Sequence, residues 1–281
     1  MTNNPYGDKV MPLTSKQSGK THLVGEDVYC YTNQIVNVFF VGNRNQRKGW
    51  VLVDAGMPRS ADKIIEHAED LYGEGATPEA IVLTHGHFDH VGALPDLAEK
   101  WKVNVYAHPL EIPYLTGETS YDKPDPTVDG GAVAKLSGFF PNEPVDLSGY
   151  VKELPQDGSI PEMPNWKWLH TPGHTPGHVS LYRESDRTLI AGDAFTTVKQ
   201  DEMFEVVKQD KEINGPPVYF TPNWEDAEKS VKKLADLQPL HAGTGHGLPM
   251  TGEELEKGLT ELATTFKEKA VPKHGKYVDG Q

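Results

Sequence analysis

One short polar segment constrains this chain more than any other feature of the sequence. The segment reads Thr84-His85-Gly86-His87-Phe88-Asp89-His90 and directly follows the apolar run Ala80-Ile81-Val82-Leu83. The apolar run predicts a buried strand, and the amphipathic stretch that begins at Val91 predicts a helix. Side chains alternate along an extended backbone, so His85 and His87 can point to the same side. Three imidazoles and one carboxylate so close together indicate a site for a divalent ion such as zinc.

Similar polar residues recur later in the chain, in loops of matching character. They occur in three motifs, Thr171-Pro172-Gly173-His174, Gly192-Asp193 and Gly245-His246-Gly247. Taken alone, the first segment is also compatible with an ordinary histidine-rich loop. Such a loop does not require these downstream partners, so their recurrence favours a metal site.

The motifs, in this order, resemble those of the metallo-β-lactamase superfamily. The resemblance extends from about Val28 to the helix that follows Thr251. It implies an α/β fold of the α+β type, the αββα sandwich, in which two sheets pack together and helices lie outside. The predicted alternation of strands and helices is compatible with that architecture.

The resemblance also implies a set of metal ligands, which are His85, His87, Asp89, His90, His174, Asp193 and His246. The His-x-His pair and His174 would hold one ion, and Asp89, His90 and His246 would hold a second. Asp193 matches the carboxylate that bridges both ions. The implied cofactors are two divalent ions, with zinc expected first and iron or manganese as alternatives. Asp89 is also the catalytic candidate, because it would lie beside the attacking hydroxide and can accept a proton.

Three further residues have more than one interpretation. The fragment from Thr171 to His178 repeats Thr-Pro-Gly-His, so spacing alone does not choose between His174 and His178. The resemblance selects His174, and for His178 a structural hydrogen bond is expected. Asp54 ends a predicted strand; in the resembled family an acid there holds a ligating imidazole, although an ordinary turn residue is equally compatible. For His108 we expect a structural or substrate-facing role.

The implied reaction is hydrolysis. Two ions that share a water lower its pKa, and the resulting bridging hydroxide would cleave a small ester, lactone, thioester or phosphoester. A first alternative is a sulfur (persulfide) dioxygenase with one iron held by residues matching His85, His174 and Asp193. A second alternative is a metal-binding scaffold without catalytic activity.

One departure from the family bears on the substrate. Lactonases of this superfamily place a tyrosine three residues after the bridging aspartate, and this chain has Thr196 there. Tyr114, Tyr121 or Tyr219 would have to replace that tyrosine. The sequence therefore leaves the substrate class open.

Composition restricts the partners. The 281 residues include 27 Lys and Arg against 41 Asp and Glu, a formal net charge of −14. This charge disfavours nucleic-acid binding, whereas a small anionic substrate stays compatible because bound metal reverses the local potential. Cys30 is the only cysteine, which excludes an intramolecular disulfide. The sequence has neither a signal-peptide pattern nor a membrane-spanning run, so we expect a cytoplasmic protein with a small-molecule substrate and an undetermined oligomeric state.

The predicted organisation is one domain, residues 21–270, between a flexible N-terminal tail at residues 1–20 and a C-terminal tail at residues 271–281. Prolines and glycines cluster between about residues 112 and 155, together with the aromatic residues Tyr114, Tyr121, Phe139 and Phe140. A long irregular stretch in a compact domain is often functional, so it predicts a lid whose aromatic rings face the substrate. The alternative is a surface excursion whose aromatic residues only anchor it to the core.

Helix starts are predicted from capping residues. Ser60 and Thr221 each precede a helical pattern of apolar residues, and Thr221 is followed by proline. Thr251 opens a capping-box pattern before the last long helix.

Overall fold

The computed structural model describes residues 5–6, 13–128 and 131–278, and for Phe139 its backbone alone. Two sheets and flanking helices make up these residues. The first sheet contains β1 (Thr21–Gly25), β2 (Val28–Asn33), β3 (Val36–Val41), β4 (Val51–Val53), β5 (Ala80–Val82), β6 (Asn104–Ala107) and β7 (Val151–Glu153). These strands lie side by side in chain order, antiparallel from β1 to β4 and parallel from β4 to β7.

The second sheet has the order β12-β11-β10-β9-β8. Its strands are β8 (Lys167–His170), β9 (Val179–Arg183), β10 (Thr188–Ile190), β11 (His241–Gly243) and β12 (Met250–Thr251). Strands β10 and β11 are parallel, and the other neighbouring pairs are antiparallel.

The helices of the described chain lie between and after the strands. They are α1 (Ala61–Tyr72), α2 (Phe88–Val91), α3 (Leu94–Trp101), α4 (Ile112–Leu115), α5 (Ala132–Leu136), α6 (Met203–Lys208), α7 (Trp224–Asp236), α8 (Gly252–Thr264) and α9 (Phe266–Lys269). Two short 3₁₀ helices span Ser137–Phe139 and Val218–Phe220. Within the described chain, no helix is both long and apolar enough to cross a membrane.

The alternation of side chains along β3 explains how the layers pack. Val36, Val38 and Phe40 point to one face, where they join a cluster with residues of α1 and α3. Phe39 and Val41 point to the other face and join a second cluster, which contains residues of β9 and β10. A third apolar cluster joins the second sheet to α7 and α8. Because every β3 side chain is buried against one layer or the other, the predicted αββα sandwich is confirmed.

Several local predictions differ from the structure. The edge strand β1 was missed, and the segment from residue 112 to 155 contains α4, α5 and β7 rather than only irregular chain. Ser60 does not cap α1, since its hydroxyl donates to the carbonyl of Met57. Asn223, not Thr221, caps α7 by accepting from Asp226 N. Thr251 occupies the cap position of α8 without a side-chain capping bond.

Parts of both predicted tails contact the domain. Tyr6 is buried, and its hydroxyl donates to the carbonyl of Glu143. Near the other terminus, Tyr277 donates to the carbonyl of Lys123 at 2.9 Å. The domain boundaries at residues 21 and 270 stay a prediction.

The burial of strand β5, which precedes the histidine segment, predicts how a substitution there changes the stability of the protein. Ile81 in β5 is fully buried, so Ile81→Ala removes packed apolar volume and should cost about 2–5 kcal/mol of unfolding free energy. The measurement is the urea midpoint in the presence of a chelator. Leu23→Ala, at a side chain that is 59% exposed, is the control and should change the midpoint little. Equal effects of the two substitutions would contradict the assigned packing.

Candidate metal centre

Loops at one edge of the sandwich deliver the predicted ligands. The His-x-His pair follows β5 after Leu83 and Thr84, and α2 then carries Asp89 and His90. The parallel strands β10 and β11 run in register, with Ile190 opposite Gly243. The two loops that follow these strands therefore start at the same edge, and they present Asp193 and His246. The remaining histidine, His174, lies in the turn between β8 and β9.

All seven predicted ligands are buried and close together. Their ligand atoms form three overlapping groups, in each of which the atoms lie within 4.8 Å of one another: His85, His87 and His174; His85, His90 and Asp193; and Asp89, His90 and His246. The structure thus brings together every residue that the family resemblance selected. The most exposed of them is Asp89, at 8%.

Asp193 occupies the centre of this cluster. Its Oδ1 lies 3.6 Å from His90 Nε2, whereas its Oδ2 lies 3.5 Å from His174 Nε2 and 3.3 Å from His246 Nε2. His246 Nε2 is also 3.4 Å from Asp89 Oδ2. The two oxygens of one carboxylate therefore face imidazoles of both predicted ion sites, as a bridging ligand requires.

Three inward-facing atoms have no hydrogen-bond partner within the described chain. They are His85 Nε2, His90 Nε2 and Asp193 Oδ1, and each is inaccessible to solvent. A buried polar atom left unpaired costs about 1–3 kcal/mol, so several in one cluster need an explanation. Imidazole nitrogen and carboxylate oxygen are ligands of zinc and related divalent ions. The donor set therefore fits metal ions bound at the centre.

Asp54 orients one of these imidazoles from outside. His90 Nδ1 donates to Asp54 Oδ2 at 2.8 Å, and Thr84 N donates to Oδ1 at 2.8 Å. Thr84 Oγ1 also donates to Asp54 Oδ2 at 2.8 Å, which leaves Thr84 Oγ1 free to accept from His85 Nδ1 at 3.1 Å. This network turns the Nε2 atoms of both histidines toward the centre. Of the two interpretations of Asp54, the structure therefore favours the one in which its carboxylate holds a ligating imidazole, that of His90.

Two other histidines are held in the same manner. His246 Nδ1 donates to the carbonyl of Ile35 at 2.9 Å. His174 Nδ1 lies 3.3 Å from Thr221 Oγ1, which itself donates to the carbonyl of Pro217. Thr221 was predicted to cap a helix, and its hydroxyl is instead used to orient His174.

Burial and neighbouring charges set the pKa values of the metal-free cluster. Burial and then the adjacent imidazoles hold the pKa values of His85 and His174 well below the usual range, so both are neutral and able to coordinate. For His246, burial lowers the pKa, but Asp193 and Asp89 outweigh it and raise the value to about 10. An ion that binds His246 must therefore displace a proton.

His178 has the structural role expected for it. Its Nε2 accepts from Asp193 N at 2.9 Å, and its Nδ1 lies 3.0 Å from the carbonyl of Thr171. The imidazole thus supports the loop of Asp193 and belongs to none of the three ligand groups. Gly192 permits this approach, because a Cβ there would lie 2.5 Å from His178 Nε2. His108 instead stacks on His170, with ring centroids 4.3 Å apart.

Aromatic rings surround the cluster. Phe220 stacks on His87 with centroids 4.4 Å apart, and Tyr121 lies 4.6 Å from the same imidazole. Phe140 contacts the rings of Tyr219 and Phe220. The segment between residues 112 and 155 therefore packs against the site, and its role as a lid stays a prediction; the side chain of Phe139 lies outside the described residues.

Two site residues were not predicted from the sequence. Phe220 carries no pattern of its own, although the preceding prolines indicate a fixed turn. Glu111 is fully buried beside the His-x-His loop, and a single glutamate in a turn gives no signal in a sequence.

Comparison with known proteins identifies the family. The model of the metallo-beta-lactamase superfamily matches residues 31–246. The probable metallo-hydrolase YflN of Bacillus subtilis (strain 168) is 49% identical, over 91% of this chain and 97% of that protein. The crystal structure of the BLEG-1 B3 metallo-beta-lactamase aligns with a TM-score of 0.54 and 25% identity, over 85% of this chain and 97% of the other. The di-iron-bound form of TTHA1623 aligns with a TM-score of 0.51 and 24% identity, over 89% of this chain and 98% of the other.

The chain belongs to the metallo-β-lactamase superfamily. With its buried histidine and aspartate groups, it is a metallo-hydrolase of that superfamily.

The two copies of the Thr-Pro-Gly-His motif give a test of ligand assignment. His174→Ala should lower the number of bound metal ions per chain, because it removes an inward-facing nitrogen. His178→Ala should retain bound metal and lower thermal stability, since it removes only the support of the Asp193 loop. Elemental analysis of both purified variants decides the matter. Metal loss in the His178 variant alone would show that the assignment is reversed.

Asp54 gives a second test. Asp54→Ala removes the acceptor of His90 and should weaken the affinity for one metal ion by about 10–100-fold. The measurement is chelator competition on the metal-loaded protein. Asp62→Ala, at an exposed aspartate of α1, is the control. An unchanged affinity in the Asp54 variant would reduce Asp54 to a turn residue.

Proposed function

We propose that this metallo-hydrolase holds two divalent ions and hydrolyses a small ester, lactone, thioester or phosphoester. The single observation that carries the proposal is the position of Asp193, whose two oxygens face histidines of both predicted ion sites. The unpaired Nε2 atoms of His85 and His90 support it, because both lie in one ligand group with Asp193, and each also belongs to one of the other two groups.

Some residues of the site would bind the ions, and others orient the imidazoles that bind them. His85, His87 and His174 would hold the first ion, and Asp89, His90 and His246 the second, with Asp193 between them. When bound, two such ions lower the pKa of a shared water and polarise the substrate oxygen. The protein keeps the imidazoles oriented through Asp54, Thr221 and the carbonyl of Ile35, so little reorganisation precedes reaction.

Asp89 is proposed as a ligand first and a base second. Burial raises the pKa of its carboxyl, but His90 and His246 outweigh burial and hold the pKa below its usual value. A carboxylate with a low pKa is a good ligand and a weak general base. Its lowered pKa therefore favours coordination over the catalytic role suggested by its place in the motif.

The proposed metal is zinc. Five imidazoles combined with two carboxylates suit zinc, and the same donors also bind iron or manganese. Iron is the first alternative to zinc, because the structural neighbour TTHA1623 is described in a di-iron-bound form.

The aromatic surroundings favour a substrate with an apolar part. The rings of Tyr121, Phe140 and Phe220 lie around His87 and its neighbours. Aromatic rings bind apolar groups by dispersion and by release of water. An acyl or aryl ester is therefore the first substrate type to assay.

His90→Ala separates hydrolase from dioxygenase. We expect about two ions per parent chain, and loss of one ion with a fall of at least about 100-fold in ester or lactone hydrolysis in the variant, equivalent to about 2.7 kcal/mol. Elemental analysis and steady-state rates on a substrate panel supply the measurements. His108→Ala, at a histidine outside the ligand groups, is the matched control.

Two other results would each support one of the alternative functions. Parent protein with one iron per chain, oxygen uptake with a persulfide substrate and no hydrolysis would support the dioxygenase. Parent protein with two ions and no turnover of any substrate in the panel would support a metal-binding scaffold.

A further inference from the structure

Glu111 joins three separate segments of the protein through one buried carboxylate. The residue lies in the turn between β6 and α4 and is fully inaccessible to solvent. Its Oε1 accepts from Thr175 Oγ1 and from Gly177 N, both at 2.8 Å. Its Oε2 accepts from Gly86 N at 2.9 Å and from the hydroxyl of Tyr121.

Two of these segments carry histidines of one ligand group. Gly86 separates His85 from His87, and Thr175 directly follows His174. These three histidines come from loops far apart in the chain, and their ligand atoms lie within 4.8 Å of one another. The Glu111 carboxylate therefore spans the two loops whose separation decides whether one ion can reach all three nitrogens.

The contacts leave little freedom for either loop. A Cβ on Gly177 would lie 2.8 Å from Glu111 Oε1, and a Cβ on Gly86 would lie 2.6 Å from the Tyr121 hydroxyl oxygen. Both backbones approach Glu111 or its partner so closely that a side chain does not fit. The spacing between the loops is thus set by the carboxylate.

The third segment is the stretch between residues 112 and 155. Tyr121 donates to Glu111, and its ring lies 4.6 Å from the imidazole of His87. Tyr114 stacks on Tyr121 with ring centroids 3.8 Å apart and planes inclined by 7°. The Tyr121 hydroxyl also accepts from Gly86 N at 3.0 Å, so its two hydrogen bonds align this aromatic pair with the loop that carries His87.

We propose that Glu111 is a positioning residue that sets His87 and His174 for the first ion and aligns Tyr121, as a wall of the substrate site, with that ion. The proposal rests on the proposed function, because it assumes an ion at this ligand group. Glu111 does not itself contact the ion; it acts through the two loops and through Tyr121.

The chemistry of the carboxylate indicates which substitution tests this role. All four hydrogen-bond donors to Glu111 are neutral groups, and an apolar residue at this position would leave each of them without this acceptor. An ionised carboxylate accepts on both oxygens, whereas glutamine presents an NH₂ group to one pair of donors. Glu111→Gln therefore keeps the shape and breaks one side of the link.

The first experiment measures metal affinity, not activity. In chelator competition, Glu111→Gln should weaken one of the two metal affinities by about 10–100-fold and leave the other unchanged. Glu118→Gln, at an exposed glutamate of the same segment, is the control and should change neither. In a His246→Ala background the effect of Glu111→Gln should persist, and in a His174→Ala background it should disappear.

A second variant tests the link to Tyr121. Tyr121→Phe removes the hydroxyl and keeps the ring, so both metal affinities should stay and KM for a bulky ester should rise several-fold, with a smaller effect on a short ester. Thr175→Val removes one donor on the other side and should weaken metal affinity without this dependence on substrate size. These two variants keep the test decisive if Glu111→Gln does not fold.

The outcomes separate this inference from the proposed function. Parent protein with two ions, together with unchanged affinities in Glu111→Gln and Thr175→Val, would overturn the positioning role and leave the hydrolase in place. An unchanged KM for every ester in Tyr121→Phe would overturn the alignment of Tyr121. Parent protein that binds no divalent ion would overturn both proposals.

Discussion

The structure depends on the burial of polar side chains that cannot satisfy one another. Burying imidazole nitrogens and carboxylate oxygens without partners is unfavourable by several kcal/mol in sum, at about 1–3 kcal/mol for each unpaired atom. In this protein three such atoms lie at one edge of the sandwich, buried and without a hydrogen-bond partner within the described chain: His85 Nε2, His90 Nε2 and Asp193 Oδ1. Divalent cations compensate this cost, because they bind such donors directly. The fold, the outer hydrogen bonds and the family membership are all consistent with a protein built to present this cluster.

A rigid scaffold makes the presentation accurate. Three of the ligand-bearing loops follow the largely buried strands β5, β10 and β11, and β3 is packed on both faces by two different apolar clusters. Outer partners then fix individual rings, as Asp54 does for His90 and Thr221 for His174. Such partners restrict rotation of each imidazole, so the geometry of the cluster is largely set before an ion arrives.

Local motifs explain why so much of the site was predictable from sequence. The residue types of the His-x-His-x-Asp-His segment by themselves indicate a metal site. The family resemblance then selected the partners His174, Asp193 and His246, which the structure places beside that segment. What the sequence did not predict depends on contacts between distant segments. Thr221 looked like a helix cap because its local pattern fits one, yet its hydroxyl is used between Pro217 and His174. Glu111 has no local pattern at all, and the donors that define it come from segments up to 66 residues away.

The most direct test of the proposed two-ion site is to locate the ions themselves. A crystal of the metal-loaded protein, measured with anomalous X-ray diffraction at the absorption edge of the bound metal, gives their number and positions. We predict two peaks about 3.5–4 Å apart, with Asp193 between them and His85, His87 and His174 around one of the two. A single peak at full occupancy, held by His85, His174 and Asp193 alone, would contradict it.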